Sequence, residues 1–340
     1  MSLAVQISEH IDLTAFNTLA LPAQARYYAR GENSADIHAA IAWAQQRGLP
    51  LLPLGGGSNV VLRGEFPGLV LHIALRGKKL LQRDDYVEVC VAAGENWHEL
   101  VQWTLQQRAY GLENLTLIPG TAGAAPIQNI GAYGVELAQF LHAVRGIKID
   151  ENRELELSAA QCELDYRDSI FKHALRDNFI VTEVVLHLRT QFVAVIDYPA
   201  LREQLRDEPL DALQIERAVR ALRQSKLPDP AQWPNAGSFF KNPVVSAAQF
   251  AELQKNYPDM PNYFARDGVK IPAAWLIDRC GWKGRRLGAV GVHSQQALVL
   301  IHYGGGDAAA LLALAAQIQR DVAQRFAIAL EMEPGIYPRC

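Results

Sequence analysis

Ile118-Pro119-Gly120-Thr121-Ala122-Gly123-Ala124-Ala125-Pro126-Ile127-Gln128-Asn129-Ile130-Gly131-Ala132-Tyr133-Gly134 runs without a single Asp, Glu, Lys or Arg. A surface loop of that length ordinarily carries charged, solvated side chains. Small and apolar residues in their place suit a cleft where a ligand meets backbone. About sixty residues upstream a second small-residue stretch, Gly55-Gly56-Gly57-Ser58-Asn59, follows the apolar run Pro50-Leu51-Leu52-Pro53-Leu54. Three glycines let N–H groups approach phosphate oxygens closely, and Ser58 and Asn59 add side-chain donors. Alone, this stretch reads equally well as a tight turn between strands. It is neither a Walker A loop, since no Gly-Lys-Ser/Thr follows, nor a GxGxxG fingerprint, since no long helix follows. Together the two stretches suggest opposite sides of a slot for one dinucleotide.

Helix and strand patterns alternate around them. Ser34 reads as the N-cap of a helix over Ala35–Gln46 that Gly48 closes. Strands are predicted at Pro50–Leu54, Val60–Leu62, Leu69–Ile73 and Tyr86–Ala93, then a helix from Trp97 to Gln107 with Trp97, Leu100, Val101, Thr104 and Leu105 on one face. Further strands are predicted at Val144–Ile149 and Phe179–Leu188, and helices at Gln214–Gln224 and from the N-cap Asp307 to about Gln324. Ala327–Glu331 is strand-like. Runs of this kind, without regular βαβ alternation, predict an α+β protein.

The chain has 340 residues, and at about 150 per domain it divides into two. With 49% apolar and 20% charged residues it is an ordinary globular sequence. Its net charge of −3 lacks the basic excess of a general nucleic-acid binder, so no nucleic-acid partner is expected. No apolar run reaches the roughly 18 residues that span a bilayer, so no membrane insertion is expected. The first residues show no basic stretch leading into an apolar one, so no secretory signal is expected. Cys90, Cys162, Cys280 and Cys340 are scattered, which fits a reducing cytoplasm, and no ligand spacing among the nine histidines predicts a metal.

Three further places hold candidate chemistry. Arg167, in Tyr166-Arg167-Asp168-Ser169, could grip a carboxylate with its planar fork, or form a surface ion pair with Asp165 or Asp168. Ser238, in Gly237-Ser238-Phe239-Phe240-Lys241-Asn242-Pro243, could deliver a proton, or be a turn serine entering a strand. Of Glu331 and Glu333, one could face inward; two solvated acids is the plain alternative.

These segments, in this order, resemble the UDP-N-acetylenolpyruvoylglucosamine reductase family, flavoenzymes of bacterial cell-wall (peptidoglycan) precursor synthesis, over about Asn17 to Pro334. Ala93-Gly94-Glu95-Asn96-Trp97 belongs to the match, and the length together with Tyr198 resembles the longer, type I subgroup. The resemblance implies a vanillyl-alcohol-oxidase-like (PCMH-type) FAD-binding domain over 15–190, with subdomains of about 15–72 and 73–190, and a separate α+β substrate-binding domain over 191–340. It implies non-covalent FAD held by Leu54, Gly55, Gly56, Gly57, Ser58, Asn59, Ile118, Pro119, Gly120, Thr121, Gly123, Ala124, Ala125, Gln128, Ile130 and Gly131. NADPH would be the hydride donor. Arg167, Ser238 and a protonated Glu333 would be catalytic, Glu333 being chosen over Glu331 by register with the family's Leu-Glu-Pro-Glu-Val, which here reads Leu330-Glu331-Met332-Glu333-Pro334. Tyr133, Tyr198, Lys226, Asn242, Tyr263, Lys283 and Gln296 would bind the nucleotide-sugar substrate, with Tyr198 folding over its uridine end. A cytoplasmic monomer is expected. The competing expectations are an FAD-linked oxidase acting on a sugar or lactone, and a nucleotide-sugar sensor without catalysis.

Overall fold

The computed structural model describes residues 5–206 and 210–339. It consists of two compact units. The first takes in Gln24–Gly57 and Phe66–Ser225 with the N-terminal strand, and the second Asp12–Ala23, Ser58–Glu65 and the chain from Lys226.

The first unit is built on two sheets. One is four-stranded, in the order Ile7–Asp12, Ala23–Gly31, Gly64–Ile73, Leu51–Leu54, with the last two parallel. The other is five-stranded and antiparallel, in the order Arg153–Ser158, Leu141–Lys148, Phe179–Arg189, Tyr86–Ala92, Lys78–Gln82. Helices Ser34–Gln46 and Trp97–Gln106 contribute Ile37, Ile41, Trp97, Leu100 and Val101 to one apolar core with the sheets. The apolar face expected of the second helix is the buried one. The first helix starts one residue earlier than expected. Asn33 is its N-cap, accepting from Asp36 N–H at 3.0 Å, which leaves the Ser34 hydroxyl to donate to Glu154 at 2.9 Å.

The units do not divide at the expected 190/191 boundary. Helices Pro199–Gln204 and Ala212–Lys226 bury Leu201, Leu205, Ile215, Ala218 and Val219 against Tyr133, Phe192 and Tyr198, so this segment belongs to the first unit up to Ser225. Burial of that apolar stripe leaves the helices no independent core elsewhere. Residues 12–23 and 58–65 likewise leave the expected FAD-binding domain for the second unit.

That second unit holds an antiparallel sheet in the order Asn235–Ser238, Val299–His302, Val290–Val292, Arg286–Leu287 and a smaller one of Val244–Val245, Gly268–Lys270 and Tyr263–Ala265. Helix Ala308–Phe326 is capped by Asp307, as expected, and buries Leu311, Leu314, Ile318, Val322 and Phe326. The strand expected over Ala327–Glu331 is absent. Ala327 closes the helix at φ 53°, and the Leu330 carbonyl accepts from the Gln319 side chain at 2.7 Å instead of from a neighbouring strand. The alternation that suggested a strand is real, since Ile328 and Leu330 are buried, but it serves packing alone. The strand that does form is Gly335–Tyr337, which pairs in parallel with Val60–Leu62. No helix among the described residues is long and apolar enough to cross a membrane.

Candidate active site

The two small-residue stretches meet inside the first unit. A Cβ built on Gly55 would lie 2.7 Å from Thr121 Oγ1, and one on Gly56 would lie 3.1 Å from Gly120 Cα. Backbone can come this close only where one partner has no side chain. The far flank of the long stretch is laced to Ala93–Trp97. Gly123 N–H donates to Ala93 O at 2.9 Å, Ala122 N–H to Glu95 O at 2.8 Å, and Trp97 N–H to Gly120 O at 3.1 Å. A Cβ on Gly123 would come within 2.5 Å of Ala93 Cβ. Residues 120–123 are thus clamped between a glycine loop and a strand end. The result is a backbone-lined surface with no charged side chain of its own.

The rest of the stretch is held in sparsely populated conformations. Leu117, Asn129, Tyr133 and Arg167 all have positive φ, between 41° and 55°, without being glycine. Such residues persist only where their surroundings over-determine them, and they cluster at functional sites. Here Asn129 is pinned by its side chain, which donates to Glu136 at 3.1 Å and to Asp165 O at 3.1 Å and accepts from Ala138 N–H at 2.9 Å. Arg167 sits at the corner of a tight turn closed by reciprocal Asp165–Asp168 backbone bonds. Its guanidinium donates to Gly131 O at 2.6 Å and to Asn129 O at 3.3 Å. The side chain therefore reaches the end of the charge-free stretch rather than lying out in solvent. Tyr133 and Tyr198 pack edge to face, with ring centroids 4.9 Å apart, and burial pushes the Tyr133 phenol above its ordinary pKa.

In the second unit Ser238 and Glu333 are brought together. Asn235 fixes the approach, its side chain donating to Pro228 O and Trp233 O and accepting from Gly237 N–H at 2.8 Å. Gly237 takes φ 68°, the ladder slips between Asn235 and Ser238, and Ser238 emerges exposed beside two buried phenylalanines. A slip of this kind re-aims a side chain. Glu333 N–H donates to Phe239 O at 2.9 Å, and Met332 bridges Phe240. Glu333 is thereby one residue away from Ser238 across a backbone hydrogen bond. Glu331, by contrast, is well exposed and pairs with Lys241 at 2.6 Å. Of the other expected substrate ligands in this unit, Asn242 Oδ1 accepts from Ala273 N–H at 2.9 Å at the start of helix Ala273–Arg279, and Lys283 lies 3.4 Å from Asp278. Gln296 Oε1 accepts from Leu298 N–H at 3.3 Å, and Tyr263 is half exposed on a strand of the small sheet.

Helix Ala212–Lys226 carries polar groups that the motif reading passed over. Buried Glu216 accepts the Thr116 hydroxyl at 2.9 Å and pairs with Arg220 at 2.8 Å. Leu117 N–H donates to His98 Nδ1 at 3.3 Å, and burial holds the His98 ring below its ordinary pKa. This chain of contacts ties the helix to the residues entering the charge-free stretch. Their signal in the sequence is helical phase: Glu216, Arg220 and Arg223 fall on one side at spacings of four and three, next to the buried stripe of Ile215 and Val219. Among the described residues no group of three or more His, Cys, Asp or Glu side chains is placed to hold a metal ion.

FAD suits the surface in the first unit. The missing Cβ atoms of Gly55 and Gly56 let that loop close on Thr121 and Gly120, so main chain rather than side chain forms the surface there, and residues 118–131 offer no competing charge. Gly56→Ala puts a methyl 3.1 Å from Gly120 Cα and so presses the two stretches apart. The expected result is FAD binding weakened roughly tenfold, about 1.4 kcal/mol, read by titrating FAD into apoprotein and following flavin fluorescence. Native affinity would leave the glycine a turn residue only.

Comparison with known proteins agrees with this geometry. Residues 25–150 match a family model described as FAD binding domain, and 229–337 one described as UDP-N-acetylenolpyruvoylglucosamine reductase, C-terminal domain. The chain is 49% identical over 331 residues, 95% of each chain, to a UDP-N-acetylenolpyruvoylglucosamine reductase of Paraburkholderia xenovorans. It is 44% identical over 340 residues to the protein of that name in Pseudomonas aeruginosa, covering 98% of this chain and 100% of that one. Among solved structures it is similar in fold to the UDP-N-acetylenolpyruvylglucosamine reductase of Thermus caldophilus, with a TM-score of 0.68, 24% identity and coverage of 98% and 99%.

Proposed function

The chain belongs to the UDP-N-acetylenolpyruvoylglucosamine reductase family and is an FAD-dependent oxidoreductase of peptidoglycan precursor synthesis; from that premise we propose that Arg167, Ser238 and Glu333 manage the charge and the proton in reduction of the enolpyruvyl ether to the lactyl ether of UDP-N-acetylmuramate. The chemistry that FAD would supply when bound is a hydride, originating from NADPH, for the terminal carbon of the olefin. Gly55, Gly56 and residues 118–131 hold the cofactor through backbone contacts, with Ser58 and Asn59 adding side-chain donors.

The burden on the protein is the electron density that collects on the substrate's neighbouring carbon and its carboxylate. Arg167 meets that charge with a guanidinium whose direction is set by the Gly131 and Asn129 carbonyls. Glu333, protonated, donates a hydrogen bond to the same region. Ser238 passes its hydroxyl proton to carbon. A serine is a weak acid, but an enolate-like carbon is a strong enough base to take its proton. The observation that supports this assignment is the Glu333 N–H to Phe239 O bond, which joins the main chain next to Ser238 to that at Glu333, while Glu331 pairs with Lys241. Tyr133, Tyr198, Lys226, Asn242, Tyr263, Lys283 and Gln296 bind the nucleotide sugar, and the enzyme works as a cytoplasmic monomer.

Mixing the purified yellow protein with NADPH and the enolpyruvyl nucleotide sugar, and following formation of the lactyl product, tests the reading. A protein that takes up FAD yet leaves that ether unreduced would overturn it in favour of another FAD-linked reaction. Lys226→Ala is expected to raise KM for the nucleotide sugar roughly tenfold, since a lysine beside a diphosphate acts as a point charge, with kcat little changed. A pure loss of kcat would move Lys226 into the chemistry.

A further inference from the structure

We infer that Lys172 is a positioning residue for Arg167, fixing the main chain from which that guanidinium reaches the substrate. The inference rests on the reading above, in which Arg167 stabilises the charge on the substrate, and adds the residue that holds it in place.

Arg167 stands where its own backbone resists. It is the third residue of the turn from Asp165 to Asp168, whose ends exchange N–H···O bonds at 3.1 Å, and its φ is 53°. That place in a turn ordinarily calls for glycine or asparagine, because a Cβ crowds the main chain there. The guanidinium lies several bonds from the Cα, so a small swing at the root becomes a large one at the head. A group that must meet charge forming at one carbon therefore needs both ends held. The head is held by Gly131 O at 2.6 Å and Asn129 O at 3.3 Å.

Lys172 holds the root. Its ammonium reaches back across five residues and donates to Arg167 O at 2.9 Å. A cationic donor makes a stronger bond to a carbonyl than a neutral one does, and this bond fixes the peptide plane that leaves Arg167. Lys172 is itself anchored. It ends the short 3-10 helix Ile170–Lys172, and its N–H donates to Ser169 O at 3.0 Å. Its neighbour Phe171 is buried against the Phe179 ring, with centroids 5.3 Å apart. Buried Ser169 donates its hydroxyl to Ile127 O at 2.6 Å, which ties the same turn to the stretch that carries Asn129 and Gly131. The guanidinium, its backbone and the carbonyls it grips form one closed frame. Lys172 is partly exposed, so its replacement removes one side of that frame and leaves the packed core intact.

The test compares Lys172→Met, which loses the donor, with Lys172→Arg, which keeps a cationic one, each as FAD-loaded enzyme with thermal midpoint and FAD content recorded first. Lys172→Met is expected to lower kcat for the enolpyruvyl substrate roughly 10- to 30-fold, the scale of a lost charge-assisted hydrogen bond. Flavin reduction by NADPH should keep its native rate, and KM should stay within about threefold. Lys172→Arg should recover part of the lost kcat. The deciding arm combines Arg167→Lys with Lys172→Met. A residue that acts through Arg167 has little left to lose in that background, so the second change should cost less than about threefold more. Multiplied losses in the double variant, equal slowing of both flavin half-reactions, a rise in KM alone, native kcat in Lys172→Met, or loss of FAD from a folded protein would each overturn the inference. Should Lys172→Met fail to fold, Lys172→Gln, one atom shorter and uncharged, is read against the same outcomes. Native kcat in Arg167→Lys alone would instead sink the reading of Arg167 on which the inference rests.

Discussion

Ser238→Ala is expected to keep its FAD and to be bleached by NADPH at the native rate, yet to turn over the enolpyruvyl substrate slower by about 10³-fold or more, within the range set by loss of a positioned general acid. The separation of the two halves is what makes the result informative. Removal of one hydroxyl from an exposed position next to Phe239 and Phe240 leaves their burial intact, so the sheet and the core stay as they are. The missing step is delivery of a proton to carbon, and water is a poor substitute because it is not held at the right place. Stopped-flow reduction of the flavin followed by its reoxidation with substrate would resolve the two phases. Native reoxidation would remove serine as the acid.

Arg167→Lys is expected to lower kcat for the enolpyruvyl substrate by about 10²-fold, the scale of one lost charge-stabilising donor, although charge is conserved. The native guanidinium divides its donors, giving two to Gly131 and Asn129 carbonyls while directing its plane. An ammonium ion has no fork and no fixed plane, so it must choose between carbonyl and carboxylate. The backbone adds to the cost. Arg167 occupies φ 53°, a conformation that lysine reaches no more easily, so the substitution removes a contact that helps hold the turn. Steady-state kinetics with varied substrate would check it, and native kcat would confine Arg167 to holding the charge-free stretch.

The cofactor surface was the most legible part of the sequence, because it rests on absence. Glycine at 55, 56 and 57 and the lack of charge over 118–134 read as a main-chain surface for a ligand; the Thr121–Gly55 and Ala93–Gly123 contacts show a second use of such glycines, letting segments of the protein itself pack closely. The choice of Glu333 over Glu331 rests in the sequence on register with the family motif alone. The main-chain bond to Phe239 that supports it joins parts of the chain nearly a hundred residues apart, and no local pattern carries that. Arg223 and Glu216 were passed over because a charged residue in an amphipathic helix reads as solvated until its phase is compared with the buried stripe. The division into units was missed for a related reason. Helix Ala212–Lys226 is amphipathic whichever core it joins, and Val60–Leu62 is a plausible strand whichever partner it finds.

Val60–Leu62 finds that partner in Gly335–Tyr337, and Gly335 N–H donates to Asn59 O at 3.0 Å two residues beyond Glu333. The Arg63 to Pro338 contact in the same place spans 275 residues of sequence. A nascent chain emerging from the ribosome therefore carries its early strand, Val60–Leu62, unpaired until residues 335–337 have been made, and the main chain at Glu333 is fixed only then. Loss of residues 333–337 would spare most of the polypeptide and still, on the proposed reading of Glu333, disarm it.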